Sequence, residues 1–99
     1  MLNKVKLALL ITENDFDSEI NDFINAWIQD MGFAGVENEA LIPETTDPAL
    51  IAACVTYCGY RFELMHGSID RSEAYKKSYD EQKSQLGMAT GYTVWSGSV

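Results

Sequence analysis

The chain has 99 residues, 46% of them hydrophobic, and a formal net charge of -8. This length suits one domain with a modest core, so we expect marginal stability, part of which partners could supply. The negative charge argues against a surface that grips phosphates, because nucleic-acid binding depends largely on Lys and Arg displacing counterions. No apolar run is long enough to span a bilayer, and residues 1–11 lack the features of a signal peptide, so we expect a soluble protein made inside the cell.

The amino-terminal third of the chain predicts two helices. Residues 1–11 alternate apolar positions with Lys4 and Lys6, which is typical of a short amphipathic helix. Thr12 and Asp15 resemble a capping box and predict that a second helix begins there and continues to Gly32. One face of that helix has apolar residues at strict helical spacing, namely Phe16, Ile20, Phe23, Ile24, Trp27, Ile28 and Met31. The opposite face is mostly acidic and includes Asp15, Asp17, Glu19 and Asp22.

Residues 47–66 predict a central helix that is buried on most of its circumference. Asp47 is a favourable N-cap, and Pro48 suits the first helical position because its missing N–H would have no partner there. Apolar residues then occur all round the helix instead of in one stripe, so several neighbours must cover it. Gly59 costs about 1 kcal/mol relative to Ala inside a helix, which suggests that another backbone approaches closely. Gly67 predicts a left-handed end.

We expect the segments before and after the central helix to bury less of their surface within the subunit. Residues 32–46 have no sustained period, so we expect a long connecting loop that offers a contact surface. A fourth helix is predicted over residues 68–87, with Asp70 and Glu73 as a box-like cap. Its inward residues are sparse, so we expect only partial burial by its own subunit; they are Ala74, Tyr75, Tyr79 and Leu86.

The carboxyl-terminal residues 88–99 combine small residues with Tyr92, Val94 and Trp95. These are too few to fold alone and too apolar to leave in water, so we expect the tail to dock on this domain or on another chain. The sequence therefore predicts an all-α fold, a small bundle of about four helices with a buried central helix, a long loop and an extended tail. Residues 1–87 would form the helical domain, and residues 88–99 the docking tail.

Charge is distributed unevenly along the chain. Residues 7–60 contain ten acids and no Lys or Arg, whereas residues 61–99 contain five residues of each sign. One interpretation is simply a solvated acidic face. The other is a polarised subunit whose acidic and basic sides meet in neighbouring copies, and head-to-tail contacts of that kind close into rings.

No motif in the sequence points to catalysis or to a bound metal. His66 and Glu63 could form an acid–base pair, but a histidine at the end of a helix is favoured by the macrodipole, so we interpret it as structural. Cys54, Cys58 and His66 share one helix face, whereas structural zinc usually needs four ligands from a tight turn. We expect reduced thiols that act as small apolar fillers, no cofactor, no metal and no enzymatic activity.

Three stretches of the sequence resemble the small head-tail connector proteins of tailed bacteriophages, also called head-completion or adaptor proteins. They are ITENDFDSEINDFINAWI, which follows a short Leu/Lys helix, TDPALIAACVTYCGYRF, and EAYKKSYDEQKSQLGMATGYT. The first two are patterns that many acidic helical proteins share, whereas the third, with its Tyr-Asp pair and Thr/Tyr tail, is the more specific. The resemblance covers essentially the whole chain.

The resemblance implies a virion neck protein, made in the host cytoplasm, that assembles into a homo-oligomeric ring, twelvefold in the family, below the portal protein. The ring would extend the DNA channel, with DNA only as passing cargo, and offer a platform for a downstream neck or tail-completion protein, without any membrane contact. The residues implied in intersubunit or portal contact are Tyr75, Tyr79, Leu86, Tyr92, Val94 and Trp95. Those implied in an acidic lumen or partner face are Asp15, Asp17, Glu19 and Asp22.

A different class of function remains open on the sequence. A small acidic helical regulator, or a DNA-mimicking inhibitor, would use the acidic second helix and the following loop against a basic partner protein. Such a regulator should stay a monomer or dimer, whereas a connector should form rings when it is mixed with portal protein. An enzyme that uses Cys54 or His66 has no supporting motif in the sequence.

Overall fold

The computed structural model of the protein describes residues 1–33 and 47–88, which form four α-helices and no strand. The helices are α1 (Leu2–Ala8), α2 (Asp17–Phe33), α3 (Pro48–His66) and α4 (Ile69–Met88). This confirms the all-α bundle and the central helix at residues 47–66. Beyond residue 33, the predicted loop lies outside the described residues, and so does the predicted tail beyond residue 88. The division into residues 1–87 and 88–99 stays a prediction.

Helix α1 is shorter than predicted and ends in a Schellman motif. The N–H of Leu10 donates to the carbonyl of Leu7 at 3.2 Å, and the N–H of Ile11 donates to the carbonyl of Lys6 at 2.9 Å. Leu10 has a φ of 59°, the left-handed conformation that this motif requires and that glycine usually supplies. A non-glycine residue pays about 1–2 kcal/mol for that conformation. Ile11 follows as a buried anchor.

Helix α2 begins at Asp17, so the capping box predicted at Thr12 is wrong. The Thr12 hydroxyl donates to the Glu13 carboxylate at 3.4 Å, while Lys6 of α1 pairs with Asp17 at 2.7 Å and donates to Asn14 at 2.8 Å. A lysine that reaches across from α1 therefore fixes the start of α2, and local capping does not. The predicted apolar stripe is confirmed, since its most buried members face the core: Ile20, Phe23, Ile24, Trp27 and Met31.

Helix α3 is the common partner of the other three helices. Its predicted start is confirmed, because Asp47 accepts hydrogen bonds from the N–H groups of Ala49 at 2.9 Å and Leu50 at 3.5 Å. Gly67 has a φ of -134°, so the predicted left-handed end is wrong. The Glu63 carboxylate instead fills the space where a Gly67 side chain would lie, and it accepts from the N–H of Ser68 at 2.9 Å.

Helix α4 packs along α3 through polar and aromatic contacts. It begins with Ser68, whose hydroxyl accepts from the N–H of Arg71 at 3.4 Å, so the cap predicted at Asp70 and Glu73 is wrong. Two further hydrogen bonds join the helices, one from the Ser72 hydroxyl to the Tyr60 carbonyl at 2.9 Å and one from Thr56 to Gln82. The Tyr57 and Tyr79 rings meet edge to face, with centroids 5.1 Å apart.

The cysteines lie inside this core. Cys54 and Cys58 are free and buried on α3, which confirms that they fill space as thiols. Two causes raise the pKa of the Cys58 thiol far above its usual range. The larger is a hydrogen bond with Cys54, and the smaller is burial. The Cys58 thiol therefore stays protonated, and burial keeps reagents away from both sulfur atoms while the core is closed.

Gly59 lies where an aromatic ring of α4 approaches α3. A Cβ at Gly59 would lie 2.9 Å from ring carbons of Tyr75, closer than packed atoms tolerate. We predict that Gly59→Ala lowers the free energy of unfolding in the wild-type background, because the Tyr75 ring must move. In a Tyr75→Ala background the same change should raise that free energy by about 1 kcal/mol, the helix-propensity gain of Ala over Gly. Urea unfolding of the four chains measures both effects.

If Gly59→Ala has the same effect with and without the Tyr75 ring, the two residues are uncoupled and this contact does not explain the glycine.

Tyr79 links α4 to α2. Its hydroxyl donates to Asp30 at 2.6 Å, and Lys83 pairs with the same carboxylate at 3.2 Å. Burial, with the hydrogen bond to Asp30, raises the pKa of Tyr79 well above its usual range. The unfolded chain loses this proton near pH 10, and the folded chain keeps it, so the free energy of unfolding falls as pH rises past about 10.

We predict that Tyr79→Phe makes this alkaline decline shallower, by up to about 1.4 kcal/mol per pH unit. Denaturant unfolding between pH 9 and 11 measures the slope. Tyr75→Phe is the matched control, because the Tyr75 hydroxyl forms no hydrogen bond within the described residues. Equal slopes for wild type and Tyr79→Phe would contradict the pKa shift.

Candidate assembly surfaces

The contact residues predicted on α4 do not share one environment. Tyr79 is 3% exposed and Leu86 is 5% exposed, so both lie inside the core of their own chain. Tyr75 is half-buried against Gly59 and keeps some free surface. Tyr92, Val94 and Trp95 lie outside the described residues. Of the three predicted residues on α4, only Tyr75 therefore offers a partner appreciable surface in the single subunit.

The outer face of α4 is charged with both signs and open to solvent. Lys76 and Asp80 form an i,i+4 pair at 2.8 Å on this face, and the hydrogen bond to Asp80 raises the pKa of Lys76. Glu73, Lys77 and Glu81 are exposed beside them. Exposed ion pairs of this kind contribute little to stability, so the face is free to meet a partner of mixed charge.

The acidic face of α2 divides into paired and unpaired residues. Asp17 is held by Lys6, and both Glu19 carboxylate oxygens lie 2.9 Å from the Nε2 atom of His66. Asp15 and Asp22 are exposed and form no side-chain hydrogen bond or ion pair within the described residues. Two of the four predicted acids thus have a side-chain partner within the chain, and two have none among the described residues and are available to another molecule.

His66 has a structural role at the end of α3. Its ring packs against Phe16 and Phe62, with centroids 4.9 Å and 5.1 Å away, and those two phenyl rings meet edge to face. Together with the contact to Glu19, this cluster joins the start of α2 to the end of α3. Within the part of the chain that the structure describes, no group of three potential ligands could hold a metal ion, and no helix is long and apolar enough to cross a membrane.

Among the described residues, the large apolar side chains that face solvent lie at one end of the bundle. Helices α2 and α3 run antiparallel, so the α1–α2 and α3–α4 connections meet at the end that His66 joins to Glu19. Five side chains at these connections are between 49% and 85% exposed; they are Leu7, Leu10, Leu64, Met65 and Ile69. We name this set the apolar end. Exposed apolar groups concentrated in this way are typical of protein interaction sites.

Sequence reasoning missed the apolar end. The amphipathic helix predicted over residues 1–11 included Leu7 and Leu10 among its apolar positions. The structure exposes both, because α1 stops at Ala8 and the chain reverses through Leu10. The sequence held no signal for this turn, because the left-handed position is occupied by a leucine and no glycine occurs near residue 10.

Arg61 is a second residue whose setting the sequence did not indicate. Its guanidinium lies 5.3 Å from the centroid of the Phe23 ring and 5.8 Å from that of Tyr57. One guanidinium nitrogen, Nη1, donates to the Tyr57 hydroxyl at 2.9 Å. The side chain is half-buried between α2 and α3, and the described residues give it no carboxylate partner.

Comparison with known protein families gives a match over residues 1–93 to the family described as phage connector protein. No curated protein and no solved structure matches the chain. The matched residues include all four helices and most of the predicted tail. The chain therefore belongs to the phage connector protein family, which gives it a connector role in a virion, among other head or tail proteins.

Proposed function

We propose that the protein is a structural subunit of the phage neck that forms a homo-oligomeric ring below the portal protein, extends the DNA channel and offers a platform to the next neck or tail component. The observation that carries this proposal is the family match over residues 1–93. The apolar end supports it, because a subunit that leaves five large apolar side chains in water gains by burying them against a partner. A structural role without catalysis accords with the family.

The partners follow from the same proposal. Each subunit would contact two further copies, twelve copies would close the ring, and the portal and a downstream neck protein would occupy its two rims. Tyr75 and the tail residues Tyr92, Val94 and Trp95 are proposed contacts, whereas Tyr79 and Leu86 would act mainly by holding α4 in place. Unpaired acids such as Asp15 and Asp22, if they face the channel, would keep DNA from adhering as it passes.

A DNA-mimicking or regulatory role is less well supported. Such a protein needs an array of free carboxylates, and two of the four predicted on this face are already in contact with Lys6 and His66. The deciding experiment mixes the purified chain with the portal protein of the same phage and examines the product by analytical ultracentrifugation and electron microscopy. Rings on the portal are the expected result. A chain that stays monomeric with portal and instead binds a basic protein would overturn the proposal.

We predict that truncation after Gly87 abolishes association with portal while helicity is kept. The tail carries three of the proposed contact residues, whereas the described core lies entirely before it. Circular dichroism measures helix content, and ultracentrifugation with portal measures association. The triple replacement of Tyr92, Val94 and Trp95 by Ser is the matched variant, because it removes the three proposed contact side chains without shortening the chain. Unfolding of the truncated chain would count against a tail meant for partners.

We predict that Leu10→Gly makes the subunit more stable but weakens its assembly. Glycine removes the left-handed strain, and the Leu10 side chain is 85% exposed, so the free energy of unfolding should rise by up to about 1 kcal/mol. Loss of the apolar side chain should weaken association with portal or with neighbouring copies. Thermal denaturation of the monomer and sedimentation of the mixture measure the two effects.

Leu7→Gln is the companion variant, because it removes apolar surface at a helical position that carries no strain. Unchanged association in both variants would show that the apolar end is not an assembly surface.

A further inference from the structure

A polar pocket of about 230 Å³ lies between α2, α3 and α4. Three cationic side chains and two carboxylates line it together with tyrosine rings; the charged residues are Arg61, Lys76, Lys83, Asp30 and Asp80. We name it the Arg61 pocket. It carries one positive charge more than it has negative charges, in a chain whose net charge is -8.

The surplus charge in the Arg61 pocket belongs to Arg61. Lys83 pairs with Asp30 at 3.2 Å, and Lys76 pairs with Asp80 at 2.8 Å, so each carboxylate has its own lysine. Asp30 also accepts the Tyr79 hydroxyl. Within the described residues the guanidinium of Arg61 has only the Tyr57 oxygen as an acceptor. Most of its five N–H donors therefore have no acceptor there.

The guanidinium is also held in place before any ligand arrives. Its stacking on Phe23 and its hydrogen bond to Tyr57 restrict the long side chain, so little conformational entropy remains to be lost on binding. Because Tyr57 accepts from Arg61, its own hydroxyl proton can point to a ligand. The pocket thus presents a fixed set of donors, and what complements it is an anion with two acceptor oxygens.

We propose that the Arg61 pocket receives the carboxylate of Asp22 from a second copy of the chain. This rests on the proposed ring and names its subunit contact, so Asp22 would lie between copies and Asp15 would remain as the unpaired acid for the channel. Asp22 is exposed on α2 and unpaired within the described residues, whereas Asp17 and Glu19 are occupied. Asp15 precedes α2, so the helix itself holds only Asp22 in a fixed position.

Charge complementarity favours a second copy over nucleic acid as the source of the anion. A polyanion presents a continuous row of charges to a surface that is mostly acidic. A neighbouring copy carries the same net charge of -8, but at this point of α2 it offers a single carboxylate between the neutral side chains of Asn21 and Asn25, which matches the single unpaired guanidinium. Asp22 and Arg61 are different residues, so the contact can repeat head to tail from one copy to the next. Head-to-tail contacts close into a ring when the rotation between successive copies permits it, as the proposed ring requires.

The test compares assembly of full-length variants with portal by sedimentation velocity. Arg61→Met keeps an apolar stem over Phe23 and loses the charge, and Asp22→Asn loses the opposite charge. Each should weaken subunit association at least about tenfold, as expected when one partner of a desolvated ion pair is removed. The double variant should be no weaker than either single variant, because both remove the same contact.

Charge reversal supplies the sharper readout. Arg61→Glu and Asp22→Arg should each abolish assembly, and the two together in one chain should restore it, since every copy then offers a swapped pair. Lys4→Met and Asp70→Asn change the net charge by the same amounts as Arg61→Met and Asp22→Asn at exposed positions outside the pocket, and they should leave assembly unchanged. Circular dichroism confirms that each variant is folded.

The outcomes separate this inference from the proposed function. If wild type forms rings and Arg61→Met forms them equally well, the inference falls and the neck role stands. If inorganic phosphate binds the monomer in an Arg61-dependent way while Asp22→Asn assembles normally, the pocket takes a free anion and the inference is again overturned. If wild type forms no ring with portal, both the neck role and the subunit contact fall.

Discussion

The structure depends on one constraint, which is that α3 is apolar around most of its circumference and must be covered on several sides. Helices α1, α2 and α4 each contact it, and its buried residues include Leu50, Cys54 and Tyr57. The helix is placed by a local cap at Asp47, so its start does not depend on the rest of the chain. The neighbouring helices pack on α3 through different kinds of contact, and these differences determine which of their own surfaces remain exposed.

Helix α2 is attached by its apolar stripe, whereas α4 is attached mainly by polar bonds and by the tyrosine contact. The bonds from Ser72 to the Tyr60 carbonyl and between Thr56 and Gln82 give α4 a fixed register on α3 without a wide apolar face. Most of α4 therefore stays in solvent and carries charge. A helix held in this way can offer its outer surface to another subunit without leaving its own.

The sequence predicted the elements whose signals are local. The Asp47 cap, the apolar stripe of α2 and the sparse inward face of α4 each depend on residues within a turn or two, and all three are present. What it missed depends on distant residues. The partner of His66 is Glu19, 47 positions away, and Tyr79 is covered because Asp30, 49 positions away, receives its hydroxyl.

The same reasoning applies to the candidate surfaces. The side chain of Leu10 could be placed only once the turn that follows α1 was known. Nothing in the sequence distinguished Arg61 from other residues of α3, and only the approach of α2 showed that Phe23 lies beneath it. The spacing of residues along one helix indicates which side of that helix is apolar. It does not indicate which side chains of the neighbouring helix will contact it.

The sheltered thiols of Cys54 and Cys58 have a consequence for the life of the particle. A virion spends most of its existence outside the cell, where oxidants are common and no reducing system repairs its proteins. A connector subunit whose sulfur atoms are enclosed between helices is protected from oxidation during that period. The rate at which an alkylating reagent modifies these thiols would then measure how often the core of a subunit opens, both before and after the subunit assembles with others.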